Sequence, residues 1–267
     1  MADPSLRILL DVAMDAAHLG GRRTLAYFNT GVPVEDKADR TPVTVADREA
    51  EVVCRDAIRR WFPTHTVLGE EHADARGDDA LTWIIDPIDG TKSFIHGVPL
   101  YGTLVACVVH GRPSVGVIYL PALNELIAAA DGEGCWWNGR RARCSEVTRI
   151  EDATILAGSI TRAIDRSGAY RELADRAKLN RGWGDAFGYA LVATGRAEVM
   201  LDPRISPWDC APMPPIMREA GGWAGNWDGG ENIHGADWLT CCAGVKDEVL
   251  ATLARYDGPQ MNTGVCR

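Results

Sequence analysis

Four short apolar runs follow one another between residues 103 and 137, and they constrain the fold more than any other stretch. The runs 103–109, 114–120, 125–130 and 134–137 are separated by His110-Gly111-Arg112-Pro113, Pro121-Ala122-Leu123-Asn124 and Asp131-Gly132-Glu133-Gly134. Runs of this length, each closed by a turn cluster, read as an antiparallel meander. Asn138-Gly139 adds a hairpin turn before residues 140–143. An earlier apolar run, 81–85, is too short for a helix and reads as a buried strand that Pro87 cannot continue.

Helical periodicity brackets this sheet. Asp3-Pro4 gives an N-cap followed by proline at the first helical position. Leu6, Leu9/Leu10, Ala13, Ala16/Ala17, Thr24 and Tyr27/Phe28 then recur at helical spacing, which predicts a helix to about Asn29. Gly20-Gly21 interrupts it, for close packing or a slight kink. Residues 30–43 are polar, with a charged cluster at 35–40, and read as a loop. Thr44-Val45-Ala46-Asp47 opens a second helix as a capping box, with Ala46, Ala50, Val53/Cys54, Ala57 and Trp61 as its buried stripe. A short strand at 66–68 leads to Gly69-Glu70-Glu71-His72, and the acidic 74–79 segment reads as exposed loop. Beyond Ile150 the pattern changes to strands at 154–158, 179–180 and 197–202 and helices at 170–178, 186–194, 209–220 and 247–256. A boundary near residue 150 divides an α+β part, 1–150, from an α/β part, 151–267.

With 37 acidic against 28 basic residues the net charge is −9, which argues against a nucleic-acid partner. An acidic chain acting on an anionic ligand needs local positive charge, and bound divalent metals supply it. The eight cysteines form no C-x-x-C pair and several lie in apolar runs, so they read as reduced thiols, neither a disulfide framework nor a zinc site. The N-terminus has no signal-sequence pattern and no apolar run is long enough to span a bilayer, so the expected location is cytoplasmic, with no membrane partner.

Carboxylates gather where elements end. Asp86 and Asp89 flank Pro87-Ile88 at the end of the 81–85 strand, Glu70/Glu71 follow the strand before it, Asp47 opens a helix and Asp209 lies in Pro207-Trp208-Asp209-Cys210-Ala211-Pro212. Carboxylates are costly to converge without a cation between them, and hard cations such as magnesium prefer oxygen donors. Two such ions can clamp a phosphoryl group. Gly90-Thr91 leads into Lys92-Ser93, a turn whose backbone N–H groups can hold phosphate oxygens. Each motif alone has a plainer reading: a solvated turn at Asp86/Asp89, a helix-start carboxylate at Asp47, ordinary loop glutamates at 70 and 71.

In combination, Gly69-Glu70-Glu71, Asp86-Pro87-Ile88-Asp89-Gly90-Thr91 and Trp208-Asp209-x-Ala211-Pro212 resemble the signature motifs of the inositol monophosphatase family. Val43-Thr44-Val45-Ala46-Asp47 and the run from Gly116-Val117-Ile118-Tyr119 to Asn138-Gly139 do so too, in the family's order and over nearly the whole chain. The resemblance implies a layered α-β-α-β-α sandwich of the inositol monophosphatase and fructose-1,6-bisphosphatase type, with two or three Mg2+ ions, lithium inhibition and a homodimer. Carried over by position, Glu70, Asp86, the Ile88 carbonyl, Asp89 and Asp209 hold metal, and Asp47 serves a looser site or its water. Glu70 and Thr91 orient the attacking water, Lys37 belongs to the active-site loop, and Gly90, Thr91 and Asp209 contact substrate.

Specificity is expected in the second half. Family members specific for inositol carry a glutamate where this chain has Asp202, and Gly182-Trp183-Gly184-Asp185-Ala186-Phe187-Gly188-Tyr189 replaces the family's small-residue segment. Asp185 and Asp202 would suit an alcohol bearing an amine or imidazole, and Gly184-Asp185 with the run from Gly188-Tyr189 to Gly195-Arg196 and Asp202-Pro203 resembles the histidinol-phosphate phosphatase branch. The plainer reading has Asp185 as a helix cap and Asp202 paired with Arg204. Trp183 could stack on the substrate ring, and Trp208 is expected in the core. The rivals are an inositol or broad sugar phosphatase, a bisphosphatase, which would need further basic residues, and an RNA-machinery binding factor, which the acidic balance disfavours.

Overall fold

The computed structural model describes residues 4–72 and 78–256. The first helix, α1 (Leu6–Thr24), is capped by Ser5, whose hydroxyl accepts the Ile8 amide, so the cap lies two residues beyond Asp3, which is outside the described residues. It ends five residues before Asn29, because Ala26, Tyr27 and Thr30 bond three residues back and tighten the chain into turns. Gly20 and Gly21 are close-packing residues: a Cβ would lie 2.2 Å from Cys54 Sγ at the first and 2.5 Å from the Tyr119 ring at the second. The polar 30–43 segment is not simply a loop. Strands β1 (Val34–Asp36) and β2 (Pro42–Thr44) pair antiparallel and carry Lys37 at the hairpin tip. Helix α2 (Val45–Trp61) begins with the expected Thr44/Asp47 capping box, but Trp61 is 64% exposed and Ile58 takes its place on the inner face.

The meander expected from the turn clusters is the spine of the seven-stranded sheet. In order it contains β3 (His65–Gly69), β4 (Asp78–Asp89), β5 (Gly102–Val109), β6 (Arg112–Leu120), β7 (Glu125–Ala130), β8 (Gly134–Trp137) and β9 (Arg140–Arg141). Only the β3–β4 pair is parallel. Asp78 and Asp79 belong to β4 and not to a loop, while residues 74–77 of the acidic segment lie outside the described residues. Short helix α3 (Thr91–Ile95) follows β4.

The second half continues with β10 (Thr154–Ala157), α4 (Ile160–Arg166), α5 (Gly168–Arg176), β11 (Leu179–Arg181), α6 (Asp185–Ala193), β12 (Val199–Asp202) and α7 (Pro207–Cys210). It closes with α8 (Met213–Ala220), β13 (Gly222–Gly225), β14 (Trp238–Cys242) and α9 (Lys246–Tyr256). The helix expected over 209–220 is broken in two around Ala211-Pro212, since Pro212, Pro214 and Pro215 lack the N–H groups an unbroken helix would use. The five-stranded sheet has the order β11-β10-β12-β14-β13, with β10 parallel to both neighbours and β14 antiparallel to both of its own.

Side-chain alternation along the strands sorts the core into layers. Trp83, Ile85, Val105 and Cys107 face α1 and α2, where Leu9, Leu10, Ala13 and Ile58 meet them. Ile84, Leu104 and Ala106 face the other way, onto α6 and α8. Met200 of β12 packs into that same cluster from the second sheet, whereas Val199 and Leu201 face α5 and α9. The result is the α-β-α-β-α sandwich. All seven described cysteines are free and six of them are buried; Cys266 lies outside the described residues. Among the described residues no helix is long and apolar enough to cross a membrane.

Candidate active site

Strand β4 does not stop where Pro87 suggested. Asp86 pairs with Leu104 and Asp89 with Gly102, so three steps along β4 face two along β5. The extra residue makes a bulge, the device by which a strand re-aims its side chains, and Pro87, with no N–H to offer the ladder, sits inside it. Thr103 Oγ1 donates to the Pro87 carbonyl at 2.8 Å, and the Ile88 N–H donates to Asp86 Oδ1 at 3.0 Å. Gly90, at φ +88°, then turns the chain into α3.

Asp209 reaches the same spot from α7. It is the third residue of that helix and accepts the Ser206 N–H at 2.9 Å through Oδ2, as in a capping box. Oxygens of Asp86, Asp89 and Asp209 lie within 4.8 Å of one another. Burial first, and then the neighbouring carboxylates, hold Asp86 and Asp89 well above the usual carboxylate range. Burial also raises Asp209, against the pull of the Ser206 amide. Asp89 Oδ2 is buried with no hydrogen-bond partner among the described residues. A buried cluster of hard oxygen donors, one of them orphaned, fits a divalent cation.

Glu70 stands apart from that triad. The Lys37 ammonium, reaching from the tip of the β1–β2 hairpin, bonds Glu70 Oε1 and Glu71 Oε1 at 2.7 Å each. Burial pushes Glu70 up to about 7 despite the lysine, with Glu71 and Asp209 adding to the rise. Burial also opposes the charge on Lys37, but the two carboxylates outweigh it and raise the lysine. Asp47 spends Oδ2 on the Thr44 N–H and hydroxyl, at 2.8 and 2.7 Å. The Thr91 hydroxyl lies 3.1 Å from the Ile88 carbonyl and 3.4 Å from Asp47 Oδ1, and its one proton serves one of them at a time.

A cleft of about 680 Å³ opens over these groups, lined among others by Lys37, Glu70, Asp86, Ile88, Asp89, Gly90, Thr91, Asp185 and Asp209. Asp185 begins α6 with φ +53°, a left-handed conformation unusual for a residue with a side chain. A Cβ on Gly90 would lie 3.0 Å from Asp185 Oδ2, so this carboxylate sits directly against the metal-side turn. Burial and then Asp209 push Asp185 to about 6, opposed by Lys92. Asp202 is not among the residues lining the cleft: it accepts the Tyr189 hydroxyl, and a Cβ on Gly158 would lie 2.5 Å from its Oδ1. Burial raises Asp202 to about 7 against that hydroxyl, with Asp185 and Asp209 adding to it.

The two tryptophans near the site fall differently. Trp208 lines the cleft as well as packing on the core, while Trp183 does not line it and is 40% exposed. The cleft also holds Arg40, Lys92, Arg162 and Arg204, so the basic residues that the Asp185 region lacks in sequence arrive from elsewhere. In sequence these three arginines look like any solvated charge, because they come from separate segments. Asp47 makes contact through Thr91 and does not line the cleft itself.

Known proteins resemble this chain in sequence and in architecture. A histidinol-phosphatase of Chlorobaculum parvum is 43% identical over 233 residues, 86% of this chain and 90% of its own. A fructose-1,6-bisphosphatase/inositol-1-monophosphatase of Thermotoga maritima is 37% identical over 245 residues, 90% of this chain and 94% of its own. The crystal structure of the extragenic suppressor protein SuhB of Bartonella henselae superposes with a TM-score of 0.85 at 29% identity, covering 92% of this chain and 98% of that one. The family model described as the inositol monophosphatase family matches residues 5–257. On fold, motifs and extent of match together, the chain belongs to the inositol monophosphatase family.

Proposed function

We propose that this phosphatase is a magnesium-dependent phosphomonoesterase whose substrate is L-histidinol phosphate. Asp86, Asp89 and Asp209, with Glu70 and the Ile88 carbonyl, are the residues that would hold two or three Mg2+ ions, Asp47 serving a looser site or its water. When bound, the ions offset charge on the phosphoryl oxygens and make water a stronger acid. The turn at Gly90 presents Thr91 and Lys92 to the phosphate. Glu70 and Thr91 orient the attacking water in line with the ester bond. Its oxygen bonds to phosphorus, the P–O ester bond breaks, and the alcohol departs with a proton, without a phosphoenzyme. Lys37 approaches from its hairpin above. In this reading residues 1–150 supply the chemistry and residues 151–267 the specificity. The enzyme is a cytoplasmic homodimer without a nucleic-acid partner.

The observation that carries the substrate assignment is Asp185. Its carboxylate faces the cleft beside Gly90, on a backbone held at φ +53°. Strain of this kind persists where the surrounding structure enforces it, and it clusters at ligand contacts. An acid there can receive the ammonium or imidazolium of histidinol. The Chlorobaculum relative's name agrees. Asp202, held by the Tyr189 hydroxyl, would add a second acid to the same side of the site. A second reading has its own observation: Arg40, Arg162 and Arg204 on the cleft could receive a further anionic group, such as the second phosphate of a sugar bisphosphate. Magnesium-dependent phosphate release should be measured side by side on L-histidinol phosphate, inositol 1-phosphate and fructose 1,6-bisphosphate. Faster turnover of either of the last two overturns the assignment.

A further inference from the structure

Helix α2 carries a polar stripe of which the chemistry above uses only the first residue, Asp47. Asp47, Glu51 and Arg55 recur every four residues, share one helix face and are all buried. Glu51 is fully enclosed, yet both of its oxygens are engaged. Oε1 accepts Arg55 Nε at 2.7 Å and lies 3.2 Å from His72 Nδ1, while Oε2 accepts the Glu71 N–H at 2.7 Å. Arg55 in turn donates to the Val67 carbonyl at 2.8 Å and to the His72 carbonyl at 3.0 Å. The pair therefore grips the backbone on both sides of Glu70. Gly69 completes the fit, since a Cβ there would lie 2.2 Å from Glu51 Oε1.

We propose that Glu51 and Arg55 are positioning residues for Glu70, fixing the backbone at 67–72 so that the Glu70 carboxylate is preset for a divalent cation. The inference rests on reading Glu70 as a metal ligand. A buried ion pair is a poor way to gain stability, because apolar side chains of similar volume do as well or better. Its value here is directional. Three of their hydrogen bonds reach backbone atoms of the segment from Val67 to His72, and that segment delivers Glu70. Groups that hold a ligand-bearing element in place act on metal affinity without touching the metal.

Magnesium binding by isothermal titration calorimetry, without substrate, tests this on the full chain beside thermal unfolding of the EDTA-treated protein. Glu51→Gln keeps the side-chain volume but offers one acceptor where two are used. It should weaken Mg2+ binding by about tenfold or more, while turnover at saturating Mg2+ stays within about threefold of the parent. Glu198→Gln is the control: Glu198 is a buried carboxylate in the second half that accepts the Thr154 N–H at 2.6 Å. It should lose stability and keep its Mg2+ affinity. If Glu51→Gln behaves like the control, the proposal is overturned. Should Glu51→Gln not fold, Arg55→Lys decides, as it keeps the charge and loses the fork that spans Val67 and His72; unchanged affinity again overturns the proposal. Glu70→Gln separates the underlying reading, because parental Mg2+ binding by that variant removes Glu70 as a ligand whatever the Glu51 variants do.

Discussion

Replacing Asp89 by Asn should make the metal-depleted protein more stable while removing its response to magnesium. Asp89 is 8% exposed, its Oδ2 has no partner among the described residues, and one of its oxygens lies within 4.8 Å of one each of Asp86 and Asp209. Two unit charges at that separation repel by about 3 kcal/mol at an effective dielectric of about 20. Proton uptake relieves part of this, so the gain expected near pH 8 is about 2 kcal/mol, or roughly 4–8 °C in Tm for a chain of this size. The sign follows from linkage. Burial and like charge raise Asp89 in the folded state, so its contribution is present below the unfolded-state value and is lost as pH rises through the folded one. Burial also raises Asp185, to about 6, and Glu70, to about 7, so both carboxylates add to the loss as pH rises. The advantage of Asp89→Asn should therefore be widest at pH 8 and close towards pH 4. Differential scanning calorimetry in EDTA at several pH values, repeated with Mg2+, measures it. A lower Tm for Asp89→Asn at pH 8 in EDTA refutes the reasoning, as does an undiminished rise on adding Mg2+.

Asp185→Asn should raise KM for histidinol phosphate by about tenfold or more, the scale of one charge-assisted hydrogen bond, and leave inositol 1-phosphate within a few-fold; steady-state kinetics showing equal losses would exclude a cation-specific role. Lys37→Met should tighten Mg2+ binding, because the ammonium competes for Glu70 and Glu71; calorimetric titration finding weaker binding would show that the lysine helps the site form. Gly116→Ala should cost about 2 kcal/mol by overpacking, since a Cβ there would lie 2.1 Å from the Pro212 carbonyl oxygen. Chemical denaturation measures that loss, and an unchanged midpoint would mean that the α7–α8 junction yields easily.

What the sequence disclosed was whatever depends on neighbours along the chain. The 103–137 runs and their turn clusters announce strands β5 to β8, and Thr44 with Asp47 announces a helix start, because both are local in origin. Asp86 and Asp89 were legible as a pair, but the bulge that aims them depends on how β5 lies alongside. Trp61 fitted the helical period and still faces solvent, since it is the last residue of α2 and Ile58 already fills the inner face. The left-handed backbone of Asp185 left no mark either; it follows Gly184, which packs so closely on Gly158 that a Cβ would lie 2.2 Å from the Gly158 Cα. Along the chain Glu51 and Arg55 are only two charged residues four apart on a helix. Nothing one-dimensional shows that Val67 and residues 71–72 surround them.

The middle helical layer limits how the cleft can admit a substrate. Helices α6 and α8 fill the space between the two sheets with side chains such as Leu191, Val192, Ile216 and Met217, all in one apolar cluster with Ile84, Leu104 and Met200. Opening the molecule like a jaw would expose that cluster to water, at about 25 cal/mol for every Å² uncovered. Large-amplitude breathing is therefore an expensive route to the triad. The β1–β2 hairpin is different, with β1 exposed along its length and anchored towards the site by the Lys37 ammonium. Moving it breaks the Lys37 ion pairs with Glu70 and Glu71 and leaves the apolar cluster covered, so ligands should enter and leave past the hairpin and not through domain motion.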